Sequence, residues 1–125
     1  MFTLKFTRRV LGPEASLKLE QHEVTQTIRA GTSDIVKAII NRELLAGDKV
    51  RITLDGEDSG LASLIGCWWV SAAGLTSQDA QRGGFNTLDD LQAALIRAGY
   101  RFKPLVDYVF YRIQFGWESE HEKYQ

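Results

Sequence analysis

Residues 75–95 read LTSQDAQRGGFNTLDDLQAAL, two short helical segments in tandem, each opened by a threonine. Thr76 stands three residues before Asp79, the spacing at which a hydroxyl and a carboxylate satisfy each other's orphan backbone amides. Gly83 and Gly84 stop that first turn, because glycine enters the left-handed region without steric cost. Thr87 opens the second segment with Asp90 three residues on, and Leu88, Leu91, Leu95 and Ala98 form one buried stripe before Gly99. Two capped helices of this length cannot bury their apolar stripes against each other alone, so the fold depends on what lies on either side.

Upstream of this run, residues 61–72 form a long and nearly all-apolar strand, bulged at Gly66, suited to the centre of a sheet. KVRITL, 49–54, alternates with Val50, Ile52 and Leu54 inward, and the glycine-containing DGEDSG after it is a turn. The N-terminal MFTLKFT alternates Phe2, Leu4 and Phe6 with Thr3, Lys5 and Thr7, a half-buried strand. Gly12-Pro13 turns the chain, EASLKLEQH (14–22) suits a short helix, and β-branched VTQTIR predicts a strand over 24–29. Thr32 or Ser33 caps a helix whose apolar residues Ile35, Val36, Ile39, Ile40 and Leu44 run to Gly47. Downstream, YVFYRIQF (108–115) is a final strand with Val109, Tyr111, Ile113 and Phe115 on one face. The pattern predicts an α+β fold, a small curled sheet or barrel of about five to six strands flanked by two to four helices. Residues 1–117 form one domain on this reading, and 118–125, acidic and without core residues, a flexible tail.

The 125 residues, 44% hydrophobic and 25% charged, suffice for one core without disulfide or metal support. A lone Cys67 and two distant histidines, His22 and His121, exclude a disulfide framework and a zinc finger. No metal and no cofactor are expected. The run Glu118, Glu120, His121, Glu122 would need an ordered tail to ligate a metal. No apolar stretch reaches a membrane span, which points to a cytoplasmic protein with no membrane partner, a monomer or weak homodimer. The net charge of −1 argues against non-specific coating of nucleic acid. That total conceals an uneven distribution: residues 1–51 carry nine Lys/Arg against six acids, and residues 52–125 six against ten.

The basic half holds the candidate ligand residues. Alternation along strand 24–29 sets Thr25, Thr27 and Arg29 on one face. Two hydroxyls beside a guanidinium cradle a phosphate or a base edge, although the same face also suits a solvated edge strand. Lys5, Arg8, Arg9 and Arg51 are further cations that would track a nucleic-acid backbone, or serve as a solubilising surface. Of the adjacent Trp68 and Trp69, one must face away from the interior. An outward Trp68 would stack a base, while packing beneath the 87–98 helix is the bland alternative.

The order of these pieces resembles an ASCH domain of the PUA-like superfamily. The pattern L-T-x-x-D-A-x-x-x-G-F-x-[ST]-x-x-x-L is met at Leu75, Thr76, Asp79, Ala80, Gly84, Phe85, Thr87 and Leu91, and the TQTIR and GDKVRI strands support it. The resemblance covers nearly the whole chain. It implies a PUA-like β-barrel with a cleft between barrel and helices for RNA or a nucleotide-like ligand. It also implies an alternative, a nucleoside-directed amidohydrolase of acetylated cytidine or a small ribonuclease, with Thr27 as catalytic nucleophile. Against that, the position of the related enzymes' lysine is Val24 here, and no acid stands between Leu61 and Ala72, so the hydroxyl has no base. Glu23 or Lys5 would have to substitute. An exposed tryptophan also suits a third class, a protein-interaction module.

Overall fold

The structure, a computed structural model, describes residues 1–101 and 108–118. Along them run β1 (Phe2–Phe6), α1 (Arg8–Glu20), β2 (Gln26–Ala30), α2 (Asp34–Ile40), β3 (Lys49–Leu54), β4 (Glu57–Ser71), a 3₁₀ turn, α3 (Ser77–Arg82), α4 (Leu88–Arg97) and β5 (Val109–Trp117). The architecture is α+β, as the pattern predicts. One sheet has the order β1-β3-β4-β5-β2, with β1 parallel to β3 and the other pairs antiparallel. It curls into a half-barrel. The long apolar strand β4 is indeed central, and its register slips between Leu64 and Gly66, where the bulge was expected.

Period-two alternation sets the interior. Leu4 and Phe6 of β1, Val50, Ile52 and Leu54 of β3, Ala62 and Leu64 of β4, and Ile113 and Phe115 of β5 are buried. They occupy one face of the ladder by register. Among the described residues no helix is long and apolar enough to cross a membrane.

Several boundaries depart from the pattern, each for a local reason. The helix expected from 14 begins at Arg8, capped by Thr7, and Gly12 (φ 79°) kinks it where Pro13 supplies no N–H. α2 stops at Ile40 instead of running to Gly47. Arg42 takes φ 60°, with Arg42 N donating to Ile39 O and Glu43 N to Ala38 O, so the helix closes in a Schellman motif without glycine. Leu44 keeps its helical spacing but is buried from a loop. DGEDSG contracts to a two-residue turn with Asp55 and Gly56 both at positive φ, the type I′ pattern, and β4 begins at Glu57. Of the predicted acidic tail, Glu118 pairs with Lys49, and 119–125 lie outside the described residues.

Gly84 carries the sharpest backbone requirement. It is the C′ residue of α3, at φ 90°, with Gly84 N donating to Gln81 O and Phe85 N to Ala80 O. A Cβ there would meet Val24 Cγ2 at 2.9 Å. Gly47 has a similar φ of 92° and open space around it. Gly47→Ala is therefore expected to cost about 1 kcal/mol, the backbone penalty alone. Gly84→Ala adds the overlap and should cost about 2–4 kcal/mol. Urea unfolding midpoints of the two variants check the difference, and equal losses would contradict the contact.

Candidate ligand cleft

The two ends of the sheet, β1 and β2, curl toward each other without pairing, and the gap between them is a cavity of about 340 Å³. α4 roofs it through Leu91, Ala94, Leu95 and Ala98, resting on α1 and α3. Lys5, Phe6 and Arg9 line one side, Thr27 and Arg29 the other, with Phe85 and Tyr100 adding aromatic surface.

Arg29 spans the gap. Its Nη2 donates to the Lys5 carbonyl of β1 at 2.7 Å and its Nε to Thr27 Oγ1 at 3.0 Å, while the guanidinium carbon lies 4.8 Å from the centre of the Phe6 ring. No carboxylate pairs with it among the described residues. Burial lowers its pKa to about 10, opposed by the neighbouring Tyr100. It stays charged at neutral pH and carries a desolvation cost that an anion would relieve. Burial likewise raises the Tyr100 phenol, against the pull of Arg29.

A buried polar cluster closes one end. Asp79 Oδ2 accepts from Thr76 N, and Asp79 N donates to Thr76 Oγ1, which is the capping box read from the sequence. The same carboxylate accepts from Gln26 Nε2 at 2.9 Å and from Arg112 Nε and Nη2 at 2.7 and 3.0 Å. Gln114 Nε2 donates to Gln26 Oε1 at 3.0 Å. Burial pushes the Asp79 carboxyl upward, but the donors Arg112, Gln26 and Thr76 outweigh it and hold the pKa at about 2.

The structure thus brings Lys5, Arg9, Thr27 and Arg29 to one cavity. Thr25 is exposed and outside the lining: it precedes β2, where its N–H is tied to Arg82 O. Arg8 is engaged by Glu20 and Asp55, and Arg51 by Asp58, so neither extends a basic track from the cleft. Trp68 and Trp69 are both substantially exposed, 47% and 61%, and neither packs beneath the 87–98 helix, because α4 covers the cleft and not β4. Val24, the position matching the related enzymes' lysine, is fully buried. Phe6, Phe85, Tyr100 and Gln26 were not singled out by sequence. Phe6 and Phe85 read there as ordinary apolar positions, and Gln26 was assigned to the opposite face from Thr27. Among the described residues, no three His, Cys, Asp or Glu gather to hold a metal.

No family model matches the sequence, and no curated protein matches it. Among solved structures, the chain is similar to an ASCH domain from Lactobacillus crispatus JV V101, with a TM-score of 0.57 and 14% identity. The match covers 83% of this chain and 69% of that one. The fold is therefore that of an ASCH domain, a small PUA-like half-barrel, as the motif order implied.

The depressed Asp79 pKa makes a pH prediction. A carboxylate held below its unfolded value contributes stability that is complete above about pH 4 and is lost as pH falls through about 2. The contribution is about 2 kcal/mol. Asp79→Asn should lower stability at neutral pH by about 3 kcal/mol, since Arg112 loses its counter-charge. It should also flatten the pH dependence between 4 and 2, followed by urea titrations at each pH. An unchanged acid limb would show that the cluster is not what acid breaks.

Proposed function

We propose that the cleft binds one nucleotide-like unit, free or at an unpaired position of an RNA. The observation that carries this reading is Arg29: a guanidinium that meets no carboxylate among the described residues, aimed across a cavity with aromatic walls. Of the five N–H donors on an arginine side chain, its hydrogen bonds to Thr27 and Lys5 occupy two, which leaves three for a ligand. A planar fork of that kind suits a phosphate or a base carbonyl edge, and Phe6, Phe85 and Tyr100 suit a flat heterocycle. The fold likeness to an ASCH domain is consistent with this use and does not specify the ligand.

Cavity size narrows the class. A volume near 340 Å³ lies at the lower end of the roughly 300–1,000 Å³ of small-ligand sites, room for one nucleotide unit and not for a duplex. Because Arg8 and Arg51 are spent on ion pairs away from the cleft, the electrostatic contribution comes from Arg29 with Lys5 and Arg9 at its margin. Binding should therefore show the shallow salt dependence of one or two phosphates, unlike a protein that follows a backbone.

Turnover at Thr27 finds less support in the geometry. Its hydroxyl accepts from Arg29 Nε, and Asp79, the acid in the lining, is saturated by Arg112, Gln26 and Thr76. A donor beside the hydroxyl in place of a base does not activate it as a nucleophile.

Isothermal titration with AMP and with adenosine tests the reading. AMP should bind more tightly than adenosine, and Arg29→Ala should weaken AMP roughly ten-fold or more, the scale of a hydrogen bond to a charged group. Arg29→Lys should fall between, retaining charge without the fork. Arg51→Ala should change nothing. Equal affinity of native protein and Arg29→Ala for AMP would overturn the assignment, and release of product from acetylated cytidine, lost in Thr27→Val, would replace binding with catalysis.

A further inference from the structure

On the far side of the Asp79 cluster lies a second concavity, about 390 Å³, lined by Trp68, Thr76, Gln78, Asp79, Arg82, Arg112 and Gln114. It is not part of the nucleotide cleft, but the two share a wall. Asp79 lines both, Gln26 faces the cleft and Gln114 the groove, and the two amides are hydrogen-bonded to each other.

Trp68 is unusual in its setting. Its six-membered ring lies directly over Gly66, so close that a Cβ on Gly66 would come within 2.6 Å of the ring. Only a residue without a side chain lets the indole lie down along its own strand, next to the bulge between Leu64 and Gly66. The ring lies along the strand on this glycine while 47% of the residue remains exposed. Across the groove, Gln78 and Arg82 stand four residues apart on α3, hence on one face of the helix. Neither side chain makes a hydrogen bond or ion pair among the described residues. Arg112 and Asp79 neutralise each other, so Arg82 leaves the groove with one excess positive charge.

A half-exposed indole laid over a glycine, in one groove with an uncommitted guanidinium and an uncommitted amide, has the chemistry of a stacking platform for a base with an adjacent phosphate. We propose that this groove is a second nucleotide subsite, in which an unpaired base of single-stranded RNA stacks on Trp68 while Arg82 meets the phosphate beside it. The proposal rests on the reading of the cleft as a nucleotide site, and makes the protein's ligand an oligonucleotide held at two points separated by the Asp79 wall. Trp69 faces the other side of the sheet by alternation and takes no part.

The experiment compares AMP with the hexaribonucleotide (rA)6, by calorimetry and by quenching of tryptophan emission. The native protein should bind (rA)6 roughly ten-fold or more tightly than AMP, with quenching by the oligonucleotide and little by AMP. Trp68→Ala and Arg82→Gln should each remove most of that advantage and leave AMP affinity unchanged. Trp68→Phe, which keeps an aromatic face, should retain much of it, so that a loss through misfolding is distinguished from loss of the platform. Trp69→Phe should behave as native. If Trp68→Ala binds (rA)6 as well as the native protein does, the subsite is refuted while the cleft stands. If AMP does not bind but (rA)6 binds with Trp68-dependent quenching, the cleft reading falls and the groove survives. Binding of neither overturns both, and would turn attention to Trp68 as a contact for a protein partner.

Discussion

The carboxylate of Asp79 joins a helix start to two strands of the sheet. It caps α3 through Thr76, receives Gln26 from the edge strand β2, and receives the guanidinium of Arg112 from β5. A buried charge is tolerable only when its donors replace the water it has lost, and here those donors come from the helix start and from two strands. Satisfying the charge therefore fixes how α3 sits on the sheet. α4 follows α3 after the glycine pair, packs on α3 and α1, and so its apolar stripe becomes the roof of the cleft. The position of the cavity roof is in this sense set by one carboxylate on a neighbouring helix.

The cleft itself comes from incomplete closure. A barrel whose first and last strands paired would be filled by interior side chains and would have no room between β1 and β2. In this half-barrel the two edges stop short, and Arg29 donates one hydrogen bond across the gap, to Lys5 O. A side chain thus replaces a ladder bond at the point where the sheet stays open. The substitution also places a cation where backbone pairing would have placed none, beside the aromatic face of Phe6.

Much of this was legible in sequence because it depends on local rules. The Thr76 to Asp79 capping box, the Gly83-Gly84 stop, the bulge at Gly66 and the outward lysine of β1 follow from spacing and residue type, and the motif order led to the ASCH-like fold. What escaped notice depends on distant neighbours. Gln26 reads as a lone polar residue on the strand face opposite Thr27, and nothing in its surroundings announces that Asp79 of α3 will meet it. α2 ends early because Arg42 adopts a left-handed conformation that asparagine or glycine would have advertised. The cations Arg8 and Arg51 look like Arg29 in sequence, but Arg8 meets Glu20 and Asp55, while Arg51 meets Asp58 across the β3–β4 hairpin. Charge composition counts all three alike, and only the fold separates the paired from the unpaired.

On the proposed reading, that separation decides what kind of binding to expect. A surface that binds nucleic acid by its field needs many free cations on one face, and affinity then falls steeply with salt. Here Arg8, Lys49 and Arg51 of the basic half are taken up in surface pairs, each worth little to stability but effective in cancelling long-range attraction. Arg29 and Arg82, which meet no carboxylate among the described residues, instead share their concavities with aromatic rings, Phe6 in the cleft and Trp68 in the groove. Pairing a single cation with a flat apolar surface selects a ligand that has both a charge and a ring, and does so at short range. On the proposed reading, a small domain of nearly neutral net charge would in this way be selective for nucleotide chemistry without being a general binder of polyanions.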